Sequence, residues 1–298
     1  MCYFSSGLLP VRAPGLDRRL PTWGTGEYEW EGFLTLEQHP HAVDGPSGRI
    51  LNWNNQAAPG FMHGDNTPYG SVHRVQLFDQ FPEQVDLAGL VGVMNRSATE
   101  DTRSPAWPAV SEVLRGSEAP SALAAAVIDL LDDWVAEDAP RLDADDDGFN
   151  DHAGPTIMDA LWEPLARAVM QPVYGNLVDA LDEIRDLGGS PESASVSSPP
   201  GASFVDKDLR TLLGKDVQGK FNLSYCGNGD LDACRASLWQ VVEDVSQELS
   251  VERGDDPSTW LKAVSYTHLR AHETLISISY AVFCLKKGGG GGGGGGGG

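Results

Sequence analysis

The sequence predicts an α+β protein in which a strand-rich N-terminal part is followed by a mainly helical part. Residues 1 to about 70 are rich in Gly, Pro and Trp. Their short apolar runs, such as Gly32-Phe33-Leu34 and the run over 49–53, are typical of strands joined by tight turns. From about Val72 onward, apolar residues recur at intervals of three and four, the period of a helix with one buried face. The second part is therefore expected to be mostly helix.

The helical part divides into segments that the apolar spacing places along the chain. Three early helices are marked by Val72, Val75 and Phe78, by Leu87, Leu90, Val91 and Met94, and by Leu123, Val127, Leu130, Leu131 and Trp134. Further helices are predicted over 156–170, 176–187, 206–213 and 231–249. The Gly-, Ser- and Pro-rich stretch 188–201 is expected to be a loop. The sequence shows no internal repeat.

Composition and charge exclude some classes of partner. The chain is 41% hydrophobic and 21% charged, which is ordinary for a globular protein. Its formal charge of −22 would repel a polyphosphate, so we expect no nucleic-acid partner. There is no run of about 20 apolar residues, so no membrane span is predicted, and the residues after Met1 lack the cationic start of a signal peptide.

Residues 264–298 are not expected to be native protein. The stretch VSYTHLRAHE resembles the translation of a sequencing adapter, and ISYAVFCL resembles that of the flow-cell end that follows an index. Two lysines then correspond to AAA codons, and the glycine run 288–298 corresponds to repeated GGG. A C-terminal strand with a flexible glycine linker is the alternative, but it does not explain the order of these segments. Without this tail the formal charge moves from −22 to −24, because three cations and one anion are lost.

Three motifs near the N-terminus carry a family resemblance. They are Gly7-Leu8-Leu9-Pro10-Val11-Arg12, the stretch LPTWGTGEYEWEG over 20–32, and Asn52-Trp53-Asn54-Asn55. In order and spacing they resemble the penicillin acylase (penicillin amidase) family of N-terminal-nucleophile hydrolases. The resemblance implies an αββα sandwich, of which residues 1–263 would be part of the larger β subunit. The partners would then be the α subunit and the missing part of the β subunit.

The resemblance also implies a reaction. Such enzymes hydrolyse the carbon–nitrogen bond of N-acyl amides, either penicillins or related compounds, with a Ser exposed at a new N-terminus by self-cleavage. The resemblance places that Ser upstream of this chain, so the fragment alone is expected to be inactive. It implies that Asn54 donates a hydrogen bond to the oxyanion and that Arg74 belongs to the active site. Without the family resemblance, the sequence alone would indicate that Asn54 is a turn residue and that Arg74 is a surface cation.

Two acidic features suggest calcium. The resemblance places Asp65 where some family members have a carboxylate that ligates structural calcium. Separately, Asp143, Asp145, Asp147 and Asp151 occupy positions 1, 3, 5 and 9 of a loop with Gly148 at position 6, the spacing of a calcium loop. Position 12 is Gly154 instead of Glu, so another ligand such as Asp159 would be needed. A solvated acidic turn before the next helix remains the alternative.

Cys226 and Cys234 enclose a glycine-bearing turn, and their spacing is not that of a zinc site. They are either a local disulfide or two free buried thiols in a cytosolic protein. The family's export to the periplasm or the extracellular medium favours the disulfide. The histidines show no spacing typical of metal ligands. A second functional class also stays open, namely a non-catalytic, calcium-stabilised extracellular binding module.

Overall fold

The structure is a computed structural model. It describes residues 2–5, 7–17, 20–43, 48–53, 55–61, 72–78, 82, 84–185, 187, 201–264 and 284–285. The chain divides into two compact units, one formed by 1–70 with 273–298 and the other by 71–272. The α+β class predicted from the sequence is confirmed.

Among its described residues, the N-terminal unit contains two short antiparallel sheets. Strand β1 (Cys2–Phe4) pairs with β2 (His41–Val43), so that Phe4 lies opposite His41. Strand β3 (Arg49–Ile50) pairs with β4 (Cys284–Leu285). The described strands are thus shorter than the apolar runs suggested.

The predicted strand over 32–34 appears only as a single bridge between Pro10 and Phe33. The backbone N–H groups of Val11 and Leu34 do pair with the carbonyls of Gly32 and Leu9. Pro10 and Phe33 lie between these two hydrogen bonds, so this pairing does not use an N–H at position 10. Next to this pair, Gly32 takes a φ of +125°, outside the range of a regular strand, and the Glu31 N–H bonds to the Val11 carbonyl instead. Backbone chemistry therefore limits this pairing to a short contact.

The helical unit contains eight α-helices within the described part of the chain. They are α1 (Val72–Gln76), α2 (Leu87–Thr99), α3 (Trp107–Leu114), α4 (Ala122–Ala136), α5 (Gly154–Tyr174), α6 (Leu177–Arg185), α7 (Ala202–Leu212) and α8 (Leu231–Arg253). The helices predicted from apolar spacing are confirmed, with shifts of up to four residues at their ends. Most of the predicted loop 188–201 lies outside the described residues.

Side-chain caps explain several of the helix starts. Ser121 accepts a hydrogen bond from the Ala124 N–H at the start of α4, and Asp230 accepts from the N–H groups of Asp232 and Ala233 at the start of α8. Each cap satisfies backbone donors that have no partner within the helix. Helix α8 ends at Gly254, whose φ of +98° favours glycine.

Helix α5 lies at the centre of the unit and packs against α4, α6 and α8. It continues through Pro164 and Pro172, although an interior proline costs about 3 kcal/mol through its lost hydrogen bond and steric clash. Burial of one whole face of this helix, including Leu161, Trp162 and Leu165, offsets that cost. The same core contains Trp107, Trp134 and Trp260. Among the described residues, no helix is long and apolar enough to span a membrane.

Candidate functional site

The motif that implies the oxyanion donor is described only in part. Asn54 and Asp65 lie outside the described residues. Beside Asn54, the side-chain oxygen of Asn55 accepts a hydrogen bond from the Trp53 N–H at 2.9 Å, and its amide donates to the Gln56 carbonyl at 3.3 Å. Asn55 thus makes side-chain hydrogen bonds to the backbone on both sides of it.

A small cavity of about 180 Å³ lies beside this motif within the N-terminal unit. Apolar atoms of Ile50 and Leu51 and polar side chains of Asn52 and Asn55 line it. His41 also borders the cavity, and its Nδ1 lies 2.8 Å from the His39 carbonyl oxygen. Its volume is below the range of about 300–1,000 Å³ that is usual for small-molecule binding sites.

Arg74 lies in the middle of α1 and is half-buried. The family resemblance predicted an active-site arginine near the start of a helix, and Arg74 is the third of the five residues of α1. Burial lowers the pKa of the Arg74 guanidinium from its usual value. The same helix is fixed locally by His73, whose Nδ1 lies 2.6 Å from the Gln76 side-chain oxygen.

The acidic loop, residues 143–151, is closed by its own carboxylates. The two oxygens of Asp143 accept from the N–H groups of Asp147 and Gly148, each at 3.0 Å, and Asp151 accepts from the Ala144 N–H at 3.1 Å. Gly148 takes a φ of +90°, as the sharp turn at position 6 requires. The predicted loop geometry is therefore present.

Three of the four predicted ligands converge. Carboxylate oxygens of Asp143, Asp145 and Asp151 lie within 4.8 Å of one another. The carboxylate of Asp147 instead accepts a hydrogen bond from the Phe149 N–H at 2.8 Å. The cluster is thus smaller than the sequence predicted, although the Asp147 side chain belongs to the same loop.

The structure explains why position 12 of this loop carries no Glu. A Cβ atom on Gly154 would collide with the indole ring of Trp134. Residue 154 therefore cannot carry a ligand side chain, and it begins α5 instead. Asp159, considered as a replacement ligand, does not serve the loop, because Arg103, Arg141 and Lys262 surround its carboxylate.

Asp159 belongs to a buried ion network that sequence reasoning missed. The network consists of Asp101, Arg103, Arg141, Asp159 and Lys262. Arg103 binds Asp101 through Nε at 2.8 Å and Nη2 at 2.6 Å, and it reaches Asp159 at 2.5 Å. Arg141 bridges the same two carboxylates, at 2.6 Å to each. Asp101 and Arg103 are almost completely buried.

The neighbouring cations keep the two carboxylates of this network ionised. Burial alone would raise the pKa of Asp101, but Arg103 and Arg141 outweigh burial and hold it below the usual range. The pKa of Asp159 is held far below its usual value, against the effect of burial, by Arg103, Arg141 and Lys262. Arg141 reaches the network because Asp138 and Ala139, with φ values of 69° and 45°, reverse the chain after α4.

Cys226 and Cys234 form a disulfide in the structure, with their Sγ atoms 1.98 Å apart. Both cysteines are buried: Cys234 lies in the first turn of α8, and Cys226 lies in a short 3-10 helix that packs against α5 and α8. The carboxylate of Asp208 accepts hydrogen bonds from the N–H groups of Tyr225 and Cys226, each at 2.9 Å. Burial raises the pKa of Asp208, and these two hydrogen bonds oppose that shift. Gly227 is required between the cysteines, since a Cβ there would collide with the Cys234 backbone.

Comparison with known proteins identifies the family. A family model described as penicillin amidase matches residues 1–295. The chain belongs to the penicillin amidase family. Penicillin G acylase from Escherichia coli is 37% identical over 84 residues, which are 28% of this chain and 10% of that protein. A solved structure of thermostable penicillin G acylase from Alcaligenes faecalis matches with a TM-score of 0.64 and 20% identity, covering 89% of this chain and 47% of that one.

Membership of the penicillin amidase family confirms the resemblance carried by the three N-terminal motifs. Members of this family are hydrolases that act on amide bonds. The structural likeness supports the family fold, and this chain spans about half the length of the solved chain it matches. The penicillin amidase region here therefore combines a motif-bearing N-terminal unit with a helical unit that contains an acidic loop, a disulfide and a buried ion network.

Proposed function

We propose that this chain is part of an acyl amidase that hydrolyses N-acyl amide bonds, with penicillin-type or related acyl amides as substrates. The observation that carries the proposal is the family match over residues 1–295. The nucleophile would be an N-terminal Ser that lies outside this chain, activated by its own α-amine. Its hydroxyl would attack the amide carbonyl, and the amine would leave after taking up a proton. Water would then hydrolyse the resulting acyl–Ser ester, which releases the acid and restores the Ser.

In this proposal Asn54 supplies a side-chain N–H to the oxygen of the tetrahedral intermediate. The negative charge develops there as the carbonyl bond is attacked, so a fixed donor stabilises the transition state more than the substrate. Arg74 contributes positive charge to the same active site. Its partial burial supports this role, since a guanidinium away from bulk water acts in a medium of lower dielectric constant.

Residues 1–263 would form part of the larger β subunit of such an enzyme, with the α subunit and the rest of the β subunit as partners. The tail over 264–298 would not be native. Export to the periplasm or the medium is supported by the Cys226–Cys234 disulfide, because disulfides persist in oxidising compartments. The acidic surface agrees with a small-molecule substrate and with no nucleic-acid partner.

The test begins by amplifying the source DNA and sequencing outward past codons 1 and 263. The complete protein is then expressed, and release of the free amine from a panel of N-acyl amides is measured. We expect amine release and a mature N-terminal Ser. We also expect Arg74→Met to lower kcat/KM at least tenfold, with partial recovery in Arg74→Lys. A complete protein that processes itself but releases no amine from any substrate would overturn the proposal.

We further propose that Asp143, Asp145 and Asp151, with Asp147 and the backbone of the loop, bind a structural calcium ion, and that Asp65 contributes to a separate one. Three clustered carboxylate groups support the first site, because calcium requires several oxygen ligands.

The same cluster favours the second candidate function, a calcium-stabilised binding module without catalysis. Amine release by the complete protein separates the two functions. The loop site is tested by the rise in Tm on addition of calcium, which Asp143→Asn with Asp145→Asn should reduce to the part contributed by the separate Asp65 site.

A further inference from the structure

The chain after α8 returns to the helical core. After Gly254 it forms a short 3-10 helix (Pro257–Thr259), and Trp260 then inserts into the core with no exposed surface. The indole N–H of Trp260 donates to the Gly254 carbonyl at 2.9 Å. This anchor fixes the direction in which residues 261–264 leave the core.

The next residues pair with the acidic loop. The Asn150 N–H donates to the Lys262 carbonyl at 2.8 Å, and the Val264 N–H donates to the Gly148 carbonyl at 2.9 Å. Phe149 and Ala263 form an antiparallel bridge between these two hydrogen bonds. The contact involves only the backbone of Val264, so it does not depend on the identity of that side chain.

The side chain of Lys262 reaches the buried ion network from the same segment. Its Nζ donates to Asp159 Oδ2 at 2.5 Å, and the lysine side chain is 31% exposed. Asp101 and Asp159 are already balanced by the two arginines, so Lys262 adds one positive charge in excess. The backbone hydrogen bond between Lys262 and Asn150 connects the segment that carries this charge to the acidic loop.

We propose that residues 260–264 form a charge-held latch that closes over the acidic loop. Trp260 positions the latch, and the Lys262–Asp159 ion pair keeps it shut. In the closed state the latch fixes Gly148, Phe149 and Asn150, and it joins the loop to α5 through Asp159. In the open state these backbone groups lose their partners and Asp159 becomes accessible to water. The latch requires no bound ligand and stands independently of the amidase activity.

Hydrogen exchange in the full-length protein tests the latch. Lys262→Met keeps most of the aliphatic stem and removes the charge. Because the lost hydrogen bond joins two charged groups but Lys262 is partly exposed to solvent, we expect exchange at the Asn150 and Val264 amides to become about tenfold faster. Amides in the middle of α8 should be unaffected. Lys262→Arg should retain most of the protection.

The matched control is Lys215→Met, which removes a lysine from an exposed ion pair with Glu112. It should leave exchange at Asn150 and Val264 unchanged. Sodium chloride at high concentration should accelerate exchange at these two amides in the unmodified protein and have little further effect in Lys262→Met, since salt screens partly exposed pairs. Equal protection in Lys262→Met and the unmodified protein would overturn the latch, as would an increase spread evenly over all helices.

Discussion

The two units of this chain bury their apolar residues to very different degrees. In the N-terminal unit, Trp23 is 84% exposed and Leu8 is 80% exposed, whereas four tryptophans of the helical unit are at most 1% exposed. The N-terminal unit nevertheless contains the motifs that resemble the family most specifically. Large exposed apolar side chains are typical of a protein surface that contacts another molecule. The helical unit, by contrast, contains the buried tryptophan core, the disulfide and the buried ion network.

The strongest test of this contrast targets the buried ion network. Arg103→Met would leave the completely buried carboxylate of Asp101 with fewer compensating charges. Breaking a buried pair in this way typically costs about 3–5 kcal/mol. We expect a loss of that size in the free energy of unfolding, measured by urea denaturation of the full-length protein. The exposed pair gives the control, because Lys215→Met should cost less than about 1 kcal/mol. Equal losses in the two variants would contradict a special role for the network.

The disulfide should have the next largest effect. Removing it with Cys226→Ala and Cys234→Ala together restores the freedom of a short loop in the unfolded chain, which corresponds to about 2–3 kcal/mol for a sequence separation of 8. Denaturation under oxidising conditions measures this difference. The double variant should also be insensitive to dithiothreitol, whereas the unmodified protein should lose stability when the disulfide is reduced. A melt that reductant does not change in the unmodified protein would argue against the disulfide.

A smaller, pH-dependent effect is expected at Glu100. Burial, and next the nearby Asp138, raise the pKa of this carboxyl to about 8 from 4.5. Between these two values the unfolded chain loses the proton that the folded chain retains, so folding stability falls as the pH rises through this window. Glu100→Gln cannot ionise, so it should raise Tm at pH 8 and leave Tm unchanged near pH 4. A Tm difference that is the same at both pH values would contradict this assignment.

The smallest effect is predicted in the N-terminal unit. Trp23→Ser removes a large apolar side chain, but one that is already in contact with water. Exposed substitutions usually change stability by no more than about 0.5 kcal/mol. We expect an unchanged urea midpoint for this chain, whereas Trp134→Ala in the helical core should lower it clearly. A large loss for Trp23→Ser would show that its side chain is covered.

Local features of the structure could be predicted from the sequence. The apolar spacing predicted that α8 begins at Leu231, as it does in the structure. This succeeds because apolar residues at helical spacing mark the buried face of an amphipathic helix. The spacing of the acidic loop predicted its turn at Gly148. The strand over 32–34 was predicted too long, because Gly32 takes a φ of +125° and the Glu31 N–H, instead of the Gly32 N–H, bonds to the Val11 carbonyl.

The buried ion network could not be predicted in this way. Its members lie between positions 101 and 262, and each one alone resembles a surface charge. Only the fold brings them together, through the left-handed turn at Asp138 and Ala139 and the return of the chain at Trp260. The absence of Glu at position 12 was visible in the sequence, but its reason, the contact of Gly154 with Trp134, is a property of the packed core.

The most direct test of the proposed activity is the kinetics of Asn54→Ala in the complete enzyme. Loss of one oxyanion donor typically lowers kcat by about 10²–10³ while substrate binding changes little. We predict a fall of that size for Asn54→Ala, with self-cleavage and Tm preserved, and no change for Glu27→Gln on the exposed surface of the same unit. An Asn54→Ala enzyme that hydrolyses N-acyl amides as fast as the unmodified enzyme would contradict the role of this residue and the site built around it.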